Sequence, residues 1–394
     1  VAVVLGGYVN GFSIIQELHE KGVQDIVLVQ YEDQLAQKSN KVKRVFIIQK
    51  ELNDFRKAII EIHNEYDFLV LFPSDDLQIE FLKAIEDEIS SFAYIPFNSN
   101  NIIQVSDKYE QYKFCDALGI PYPKTKIVVD ISDLEKCRDL VFPVIVKPNY
   151  RKDIVENVFR SLFAESFFEL LAKKELLVDF LNRGGQFLVS EFIPGDTTGR
   201  IFAFTAFCTK GGKVINGWTG KKLTQFPDDF GVFSSASAEY NSIVESQSRR
   251  LIEGMELEGI VEPEYKYDYR DNKYKLTEIN LRSMMWHRTG NKSGVFLQYS
   301  QWLYATGQEV PEYRQNQKKV IHFSYYKHEF YNLVRRKKYL RKFIYNLFGG
   351  DRNYWAVYDR SDLKPFLIDF SLTIKNTIKF LLGRVYRSLI RIFH

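Results

Sequence analysis

Glu278, Asn280 and Arg282 stand two residues apart in the run Tyr274-Lys275-Leu276-Thr277-Glu278-Ile279-Asn280-Leu281-Arg282. Side chains along a strand repeat every two residues, so all three project to one face. An earlier acidic run, Glu262-Pro263-Glu264-Tyr265-Lys266, can pair with it through a turn at residues 270–273. That pairing brings Glu264 beside Glu278. Two carboxylates and an amide oxygen on one face make a hard-oxygen site, suited to Mg²⁺, which takes few protein ligands and leaves room for phosphates. Arg282 on the same face can neutralise charge developing on a transferred phosphoryl group or an oxyanion. The same alternation would also suit a plain solvated hairpin.

Three further features carry chemistry. Lys108 opens a helix, where a cation does nothing for helix stability. Lys147 ends the apolar run Val141-Phe142-Pro143-Val144-Ile145-Val146. A lysine at the end of a buried strand either snorkels or meets an anion, commonly phosphate. The run Leu188-Val189-Ser190-Glu191-Phe192-Ile193-Pro194-Gly195 is a strand entering a turn, and its free backbone groups and aromatic side chain suit a planar base. Gly6, Gly7 and Gly11 follow the first strand, but their spacing is not GxGxxG, so dinucleotide binding is not supported. Gly7 and Asn10 at that helix start, with Ser74, Asp75 and Asp76 at a neighbouring strand end, are candidate substrate contacts. Trp286-His287-Arg288 follows the acidic strand, which makes His287 and Arg288 candidates for an acceptor pocket; a packed structural histidine is the alternative.

The elements that must position these residues alternate. Short apolar runs at 1–5, 25–30, 45–48, 68–72 and 93–97 read as strands, with helix-period spacing at 13–20, 53–64 and 78–89. Such alternation indicates an open parallel α/β sheet, whose ligands sit beyond the carboxyl ends of the strands. A helix is expected over 101–120, then strand, helix, strand, a loop, a helix over 165–182 and the strand at 187–193. Residues 200–280 read mostly as strands, with one helix near 242–256. A helical stretch at 293–306, a basic region at 318–342 and an amphipathic helix at 370–394 complete the chain.

Composition agrees with a globular protein. The 394 residues are 45% hydrophobic and 26% charged, which excludes disordered and collagen-like classes and suggests two to three domains. Cys115, Cys137 and Cys208 are odd in number and far apart, so neither a disulfide framework nor a zinc cage follows, and a reducing compartment is expected. No apolar stretch is long enough to span a membrane, and no signal peptide is visible. The chain lacks an initiator Met, so its start can be trimmed. The net charge of +4 is uneven: residues 312–394 hold 18 Lys+Arg against 6 Asp+Glu, which is +12, so residues 1–311 carry −8. A basic, aromatic tail points to an anionic surface.

In order, Asp107-Lys108, Leu118-Gly119-Ile120-Pro121, Phe142-Pro143-Val144-Ile145-Val146-Lys147-Pro148, Ser190-Glu191-Phe192-Ile193-Pro194-Gly195, Glu264 and Glu278-Ile279-Asn280-Leu281-Arg282 resemble the ATP-grasp superfamily over residues 1 to about 310. Gly220-Lys221-Lys222-Leu223-Thr224-Gln225-Phe226-Pro227-Asp228-Asp229-Phe230-Gly231 is similar to the "GRKLRQYPPxFG" signature of its carboxylate–amine ligase-like subgroup. So are Glu264-Tyr265-Lys266-Tyr267-Asp268 and Asp359-Arg360-Ser361-Asp362-Leu363-Lys364-Pro365-Phe366. The resemblance implies an α/β and α+β architecture. An N-terminal open parallel domain (1–104) precedes a small lobe (105–195) and a large lobe with the metal site (196–311), and a basic C-terminal extension (312–394) follows.

It also implies a reaction. The γ-phosphoryl group of ATP passes to a substrate carboxylate, and an amine attacks the acylphosphate, giving an amide with ADP and phosphate. On this resemblance Lys108 and Lys147 hold phosphates. Ser190, Glu191, Phe192 and Ile193 surround adenine, and Asp196 and Thr197 fall near the ribose. Lys222 is a phosphate-side lysine. Glu264, Glu278 and Asn280 are ligands of one or two Mg²⁺ ions, with Mn²⁺ as a substitute, and Arg282 steadies the acylphosphate. No nucleophilic side chain is required, and no Ser/His/Asp or Cys/His arrangement is apparent. The chain departs from the family at Leu281 (usually Pro), at Thr224 (usually Arg) and at residues 149–161, where Arg151, Lys152 and Arg160 replace small residues.

The expected function is therefore an ADP-forming ligase acting on a surface-polysaccharide or cell-wall precursor, its substrates a small or lipid-linked saccharide carboxylate and an amine. A D-amino-acid ligase of peptidoglycan, D-aspartate-type, is the alternative, and a non-catalytic nucleotide-binding module at a membrane is the alternative of another class. In the tail, Ile374, Ile378, Leu381, Leu382, Val385, Leu389, Ile392 and Phe393 form a helical stripe flanked by Lys375, Lys379, Arg384, Arg387 and Arg391. This suits an anionic membrane surface, a core contact or a homodimer contact. The location expected is cytoplasmic, at the inner face of the membrane. No nucleic-acid motif is present.

Overall fold

The structure is a computed structural model that describes residues 1–149, 159, 161–195, 199–227 and 231–393, with side chains of the last helix described to residue 382. The first apolar runs form β1 (Ala2–Leu5), β2 (Ile26–Gln30), β3 (Arg44–Ile47), β4 (Leu69–Pro73) and β5 (Ala93–Tyr94). All pair in parallel, in the order β3-β2-β1-β4-β5. Between them lie α1 (Val9–Glu20), α2 (Leu52–His63), α3 (Asp76–Ala84) and α4 (Glu86–Ile89). β1, β2 and β4 are buried throughout, which is why they read as unbroken apolar runs rather than alternating ones. Strand order reverses at β1 and β4, so a crevice opens beyond their carboxyl ends. There Gly6 takes φ +95°, and a side chain on Gly11 would come within 1.8 Å of the Gly6 carbonyl oxygen. Glycine alone lets α1 begin so close to β1. After β4, Asp75 caps α3 by accepting from the Leu77 amide at 3.0 Å, and the Gln78 side chain accepts from the Asp75 amide at 3.0 Å.

The expected helix over 101–120 is two: α5 (Ile102–Val105) and α6 (Lys108–Leu118). Asp107 ends one and caps the other, accepting from the Tyr109 and Glu110 amides at 2.7 and 3.0 Å. Gly119, at φ +62°, closes α6. A four-stranded antiparallel sheet follows, ordered β6-β9-β7-β8, from β6 (Thr125–Val128), β7 (Val144–Pro148), β8 (Leu162–Ala164) and β9 (Phe187–Glu191). The helix expected over 165–182 breaks at Lys173 into α7 (Phe167–Ala172) and α8 (Lys174–Asn182). Their apolar faces close a separate small core with Phe187 and Val189.

The third sheet is ordered β14-β13-β10-β11-β12-β15-β16. It contains β10 (Ile201–Thr209), β11 (Lys213–Phe226), β12 (Val232–Ser237), β13 (Gly259–Asp268), β14 (Lys273–Asn280), β15 (Ile321–Ser324) and β16 (Arg352–Trp355). One face packs on α9 (Ser242–Gly254) through Phe204, Val261 and Tyr265. The other carries polar residues, with Trp218 and Trp286 in edge contact at its centre. α10 (Arg288–Lys292) and α11 (Leu297–Ala305) join this face to α1. Asn291 Nδ2 and the Tyr299 amide donate to the buried Glu17 carboxylate at 2.8 and 3.0 Å, and burial pushes that carboxyl up to about 7.

The basic C-terminal stretch 312–394 adds two strands to the third sheet. Its β15 pairs with β12 and its β16 with β15, in the large-lobe sheet. Its helices are α12 (Tyr326–Arg335), α13 (Leu340–Phe348) and α14 (Leu363–Phe393), the last beginning seven residues before the expected start at 370. The fully buried Glu329 of α12 accepts from Thr224 at 2.7 Å, Ser234 at 2.6 Å, Ser235 at 2.8 Å and Tyr339 at 2.9 Å. Thr224 thus ties the sheet to this segment, at the position where the resembled family has arginine. The motif at 359–366 is a clasp: Asp359 pairs with Lys41 and Asp362 accepts from Ser39.

Candidate functional site

Register decides where the acidic residues meet. Glu264 stands opposite Glu278, and Glu262 opposite Asn280. β10 sets Ala203 beside Glu264, so no bulky side chain separates this face from β11, where the buried Lys222 ammonium pairs with Glu264. Among the described residues, three carboxylates and one amide thus gather beside the Lys222 ammonium, with the Arg282 guanidinium near enough to feel Glu278 and Glu262. Carboxylates directly opposed on an antiparallel pair repel, and burial raises the cost. Burial pushes the Glu264 carboxyl up to about 7; Lys222 works against that rise, while Glu278 and Glu262 add to it. Burial works against the Lys222 ammonium too, but Glu264, Glu262 and Glu278 outweigh it and hold its pKa above the usual value. Carboxylate and amide oxygens are the hard donors that suit a divalent cation, and Glu264, Glu278 and Asn280 bring donors of that chemistry to neighbouring positions. Among the described residues, no group of three or more His, Cys, Asp or Glu side chains is gathered so as to hold a metal ion.

Glu262 belongs to the same cluster. It is fully buried and accepts from Thr205 at 3.1 Å and from the Asn280 amide nitrogen at 3.3 Å. His287 Nε2 lies 2.7 Å from it, and His287 Nδ1 accepts from the Met284 amide at 3.3 Å. That second bond assigns the ring proton to Nε2, so His287 donates to Glu262 and orients it. Alternation alone could have flagged Glu262, two residues before Glu264. Lys266, two residues after it, donates to the carbonyls of Ile193 and Gly195 at 2.7 and 3.2 Å. The segment that follows β9 is thereby bonded to the strand that bears Glu264.

Lys147 lies in β7 of the four-stranded sheet, whereas Lys108 opens α6, which packs on α9 and β14. Asn149, fully buried, donates to Asp107 Oδ2 at 3.0 Å and accepts from the Tyr109 amide at 3.2 Å. It thus fastens the start of α6, with Lys108, to the end of β7, with Lys147. Ser190 accepts from Thr125 at 2.8 Å, and Glu191 accepts from the Val141 amide at 2.9 Å, so both carboxyl-end residues of β9 are held for structure. Phe192 and Ile193 follow β9 directly, with the Lys266 ammonium 4.8 Å from the Phe192 ring centre. Asp196, Thr197, the loop with Arg151, Lys152 and Arg160, and Asp228-Asp229-Phe230 lie outside the described residues.

At the carboxyl end of the parallel sheet, the Gly7 amide donates to Gln34 at 2.6 Å and Asn10 donates to the Ser74 carbonyl at 2.6 Å. Asp76 meets Arg282: Nε donates at 2.6 Å and Nη2 at 3.1 Å. The crevice of the first domain and the acidic face are therefore contiguous. Burial draws the Arg282 pKa down, and Asp75, Glu278 and Glu262 oppose it. Arg288 sits elsewhere. It is buried and pairs with Glu20, at the opposite end of α1 from Gly7. The structure uses it to join domains, so it is not placed to meet substrate.

No family model matches the chain. A D-aspartate ligase of Enterococcus faecium is 26% identical over 223 residues, covering 54% of this chain and 53% of that protein. The chain thus spans about half the length of the curated relative it matches. Among solved structures, the N5-carboxyaminoimidazole synthetase of Staphylococcus aureus aligns with a TM-score of 0.59 at 15% identity, over 81% of this chain and 80% of that one. The biotin carboxylase domain dimer of the Hydrogenobacter thermophilus 2-oxoglutarate carboxylase, in complex with MgADP, ADP and bicarbonate, aligns at 0.63 and 16%, over 80% and 71%. Phosphoribosylglycinamide synthetase of Anaerococcus prevotii aligns at 0.55 and 15%, over 78% and 75%. At such identities the likeness is one of fold.

Proposed function

From the ATP-grasp fold that this chain has, we propose that it is an ADP-forming ligase joining a carboxylate to an amine. The observation that carries this reading is the opposed pair Glu264 and Glu278 on a buried face, with Asn280 and Lys222 beside them. ATP lies between the lobes, its phosphates between Lys108 and Lys147 on one side and the acidic face on the other. Glu264, Glu278 and Asn280 would hold Mg²⁺, which would supply charge neutralisation at the phosphates. Lys222 keeps Glu264 in place, and His287 keeps Glu262 in place. Arg282, aimed by Asp76, faces the carboxylate in the crevice formed by Gly7, Asn10, Ser74 and Asp75. The carboxylate oxygen attacks the γ-phosphorus and ADP leaves. The amine then attacks the acyl carbon, phosphate leaves, and one proton is released from the nitrogen. Bringing two anions together is the main barrier, and positioning with charge neutralisation lowers it.

The likeness to a D-aspartate ligase supports an amino-acid carboxylate, so D-aspartate is the first substrate to try. A precursor of cell wall or surface polysaccharide supplies the amine in this reading. We further read the protein as cytoplasmic and peripheral to the membrane. Among the described residues no helix is long and apolar enough to cross one, while the tail is basic and amphipathic. The test is ADP release with pooled carboxylates and amines, read by mass for a product one water lighter than its parents. ADP release that needs both substrates supports a ligase. Nucleotide binding without turnover in any pool supports the non-catalytic module instead.

A further inference from the structure

The acids of the C-terminal segment are spent inside the protein. Glu329, Asp362 and Asp369 are buried, and Asp359 is paired with Lys41. Asp369 accepts from Tyr326 at 2.7 Å, Tyr325 at 3.1 Å and Lys327 at 3.3 Å. Among the described side chains of residues 312–382, twelve exposed ones are Lys or Arg, and two, Glu312 and Asp351, are acidic. The net positive charge of this segment is thus displayed almost undiluted.

Apolar residues share that surface. On α13, Leu340, Ile344 and Phe348 recur every four residues and are more than half exposed, so they form one ridge along the helix. On α14, the buried side is Phe366, Asp369, Phe370, Thr373 and Thr377, leaving Leu367, Ile378 and Leu382 exposed. The two helices share a base. Phe330 packs on Phe343 of α13 and Phe370 of α14, and Trp355 packs on Phe348 and Phe366. Both helices pack on α12, and Leu340, Ile344, Phe348, Leu367, Ile378 and Leu382 face solvent among the described residues. Lys337, Lys338 and Arg341 stand at the start of the first ridge, and Lys364, Lys375 and Lys379 flank the second, where the Arg335 guanidinium lies 5.2 Å from the Phe380 ring centre.

We propose that α13 and the described part of α14 together form a docking platform for an anionic lipid bilayer, and that α13 contributes as much as the tail helix. This deepens the peripheral reading above and rests on it. Exposed aliphatic ridges bordered by cations match the interface between headgroups and acyl chains. A second copy of the chain fits poorly, because the cations would face one another. Nucleic acid would use the cations but not the ridges. The platform also adjoins the proposed substrate crevice. Asp359 and Asp362, just before α14, hold Lys41 and Ser39, and the same loop donates the Ala36 amide to the Gly7 carbonyl at 2.9 Å.

The experiment is co-sedimentation of the full chain with vesicles of phosphatidylglycerol in phosphatidylcholine, against phosphatidylcholine alone. Two full-length variants are compared: Ile344→Glu with Phe348→Glu on α13, and Ile378→Glu with Leu382→Glu on α14. All four side chains are exposed, and thermal unfolding checks that each variant keeps the fold. The platform predicts binding to the anionic vesicles only, cut fivefold or more by either pair of substitutions. An α13 variant that binds as the unaltered chain does, while the α14 variant fails, overturns the platform and leaves the tail-only peripheral reading standing. An unaltered chain that ignores anionic vesicles overturns both.

Discussion

Arg282 and Asp76 form a two-pronged ion pair across 206 positions of sequence, at 2.6 and 3.1 Å. It joins the first turn of α3, at the mouth of the parallel sheet, to the residue that follows the acidic strand. A planar guanidinium held by both carboxylate oxygens has little freedom left. In the proposed reaction, substrate in the crevice would meet an arginine whose position is already fixed. Asp76→Asn removes the charge that aims it and leaves a buried guanidinium without its partner. The expected loss of stability is about 2 kcal/mol, below that of a fully buried pair because Asp76 is partly exposed. Turnover should fall at least tenfold with a smaller change in KM for ATP. Unaltered turnover would remove Arg282 from the reaction.

Glu264 supplies a pH signature. Burial raises its carboxyl pKa, and Glu278 adds to this, so the metal-free protein takes up a proton at that site as pH falls through about 7. A raised folded-state pKa contributes stability below the unfolded pKa that is lost as pH rises through the folded one. Cation binding needs the ionised form. Mg²⁺ should therefore raise the thermal midpoint more at pH 8 than at pH 6, and Glu264→Gln should erase the difference. Equal shifts at both pH values would contradict the assignment.

Asn149 bridges the two halves of the lysine site, from Asp107 to the Tyr109 amide. Asn149→Asp places a carboxylate against Asp107 and should splay Lys108 from Lys147. Nucleotide affinity, measured by calorimetry, is expected to weaken about tenfold, or ~1.4 kcal/mol. The Mg²⁺ requirement should not change, since the acidic face lies on a different sheet from β7. Unchanged affinity would show that the two lysines do not act together.

The C-terminal segment should not be separable. β15 and β16 extend the sheet beyond β12, and Glu329 collects hydroxyl groups from Thr224, Ser234 and Ser235. Glu329→Ala leaves those buried donors unpaired, at a cost of about 3 kcal/mol or more. Urea unfolding should show this loss as one cooperative transition for the whole large lobe. A separate early transition confined to residues 312–394 would contradict it.

Much of the site was legible because period two and a short turn set the register of neighbouring strands. The common face of Glu278 and Asn280 follows from that period, but Glu264 comes opposite Glu278 only through a bulge: Tyr265 is still opposite Leu276, and the register then skips Thr277. Glu262 and Lys266 obey the same period and could have been read with it. What local pattern cannot encode is partnership at a distance. Arg282 with Asp76 and Arg288 with Glu20 are chosen by how domains pack, and so is the joining of β15 to β12. Helix ends were blurred where one residue serves two helices, as Asp107 does between α5 and α6. The polar stripe of Asp369, Thr373 and Thr377 hid which side of α14 faces inward, because its hydroxyls and carboxylate are satisfied within the protein.

The central claim is that Glu264, Glu278 and Asn280 gather a divalent cation against bound nucleotide. Electron paramagnetic resonance titration of Mn²⁺, with and without a nonhydrolysable ATP analogue, tests it most directly. The account predicts a nucleotide-dependent site in the unaltered chain that disappears in Glu278→Gln while the thermal midpoint holds. Mn²⁺ binding of equal affinity in that variant would contradict it.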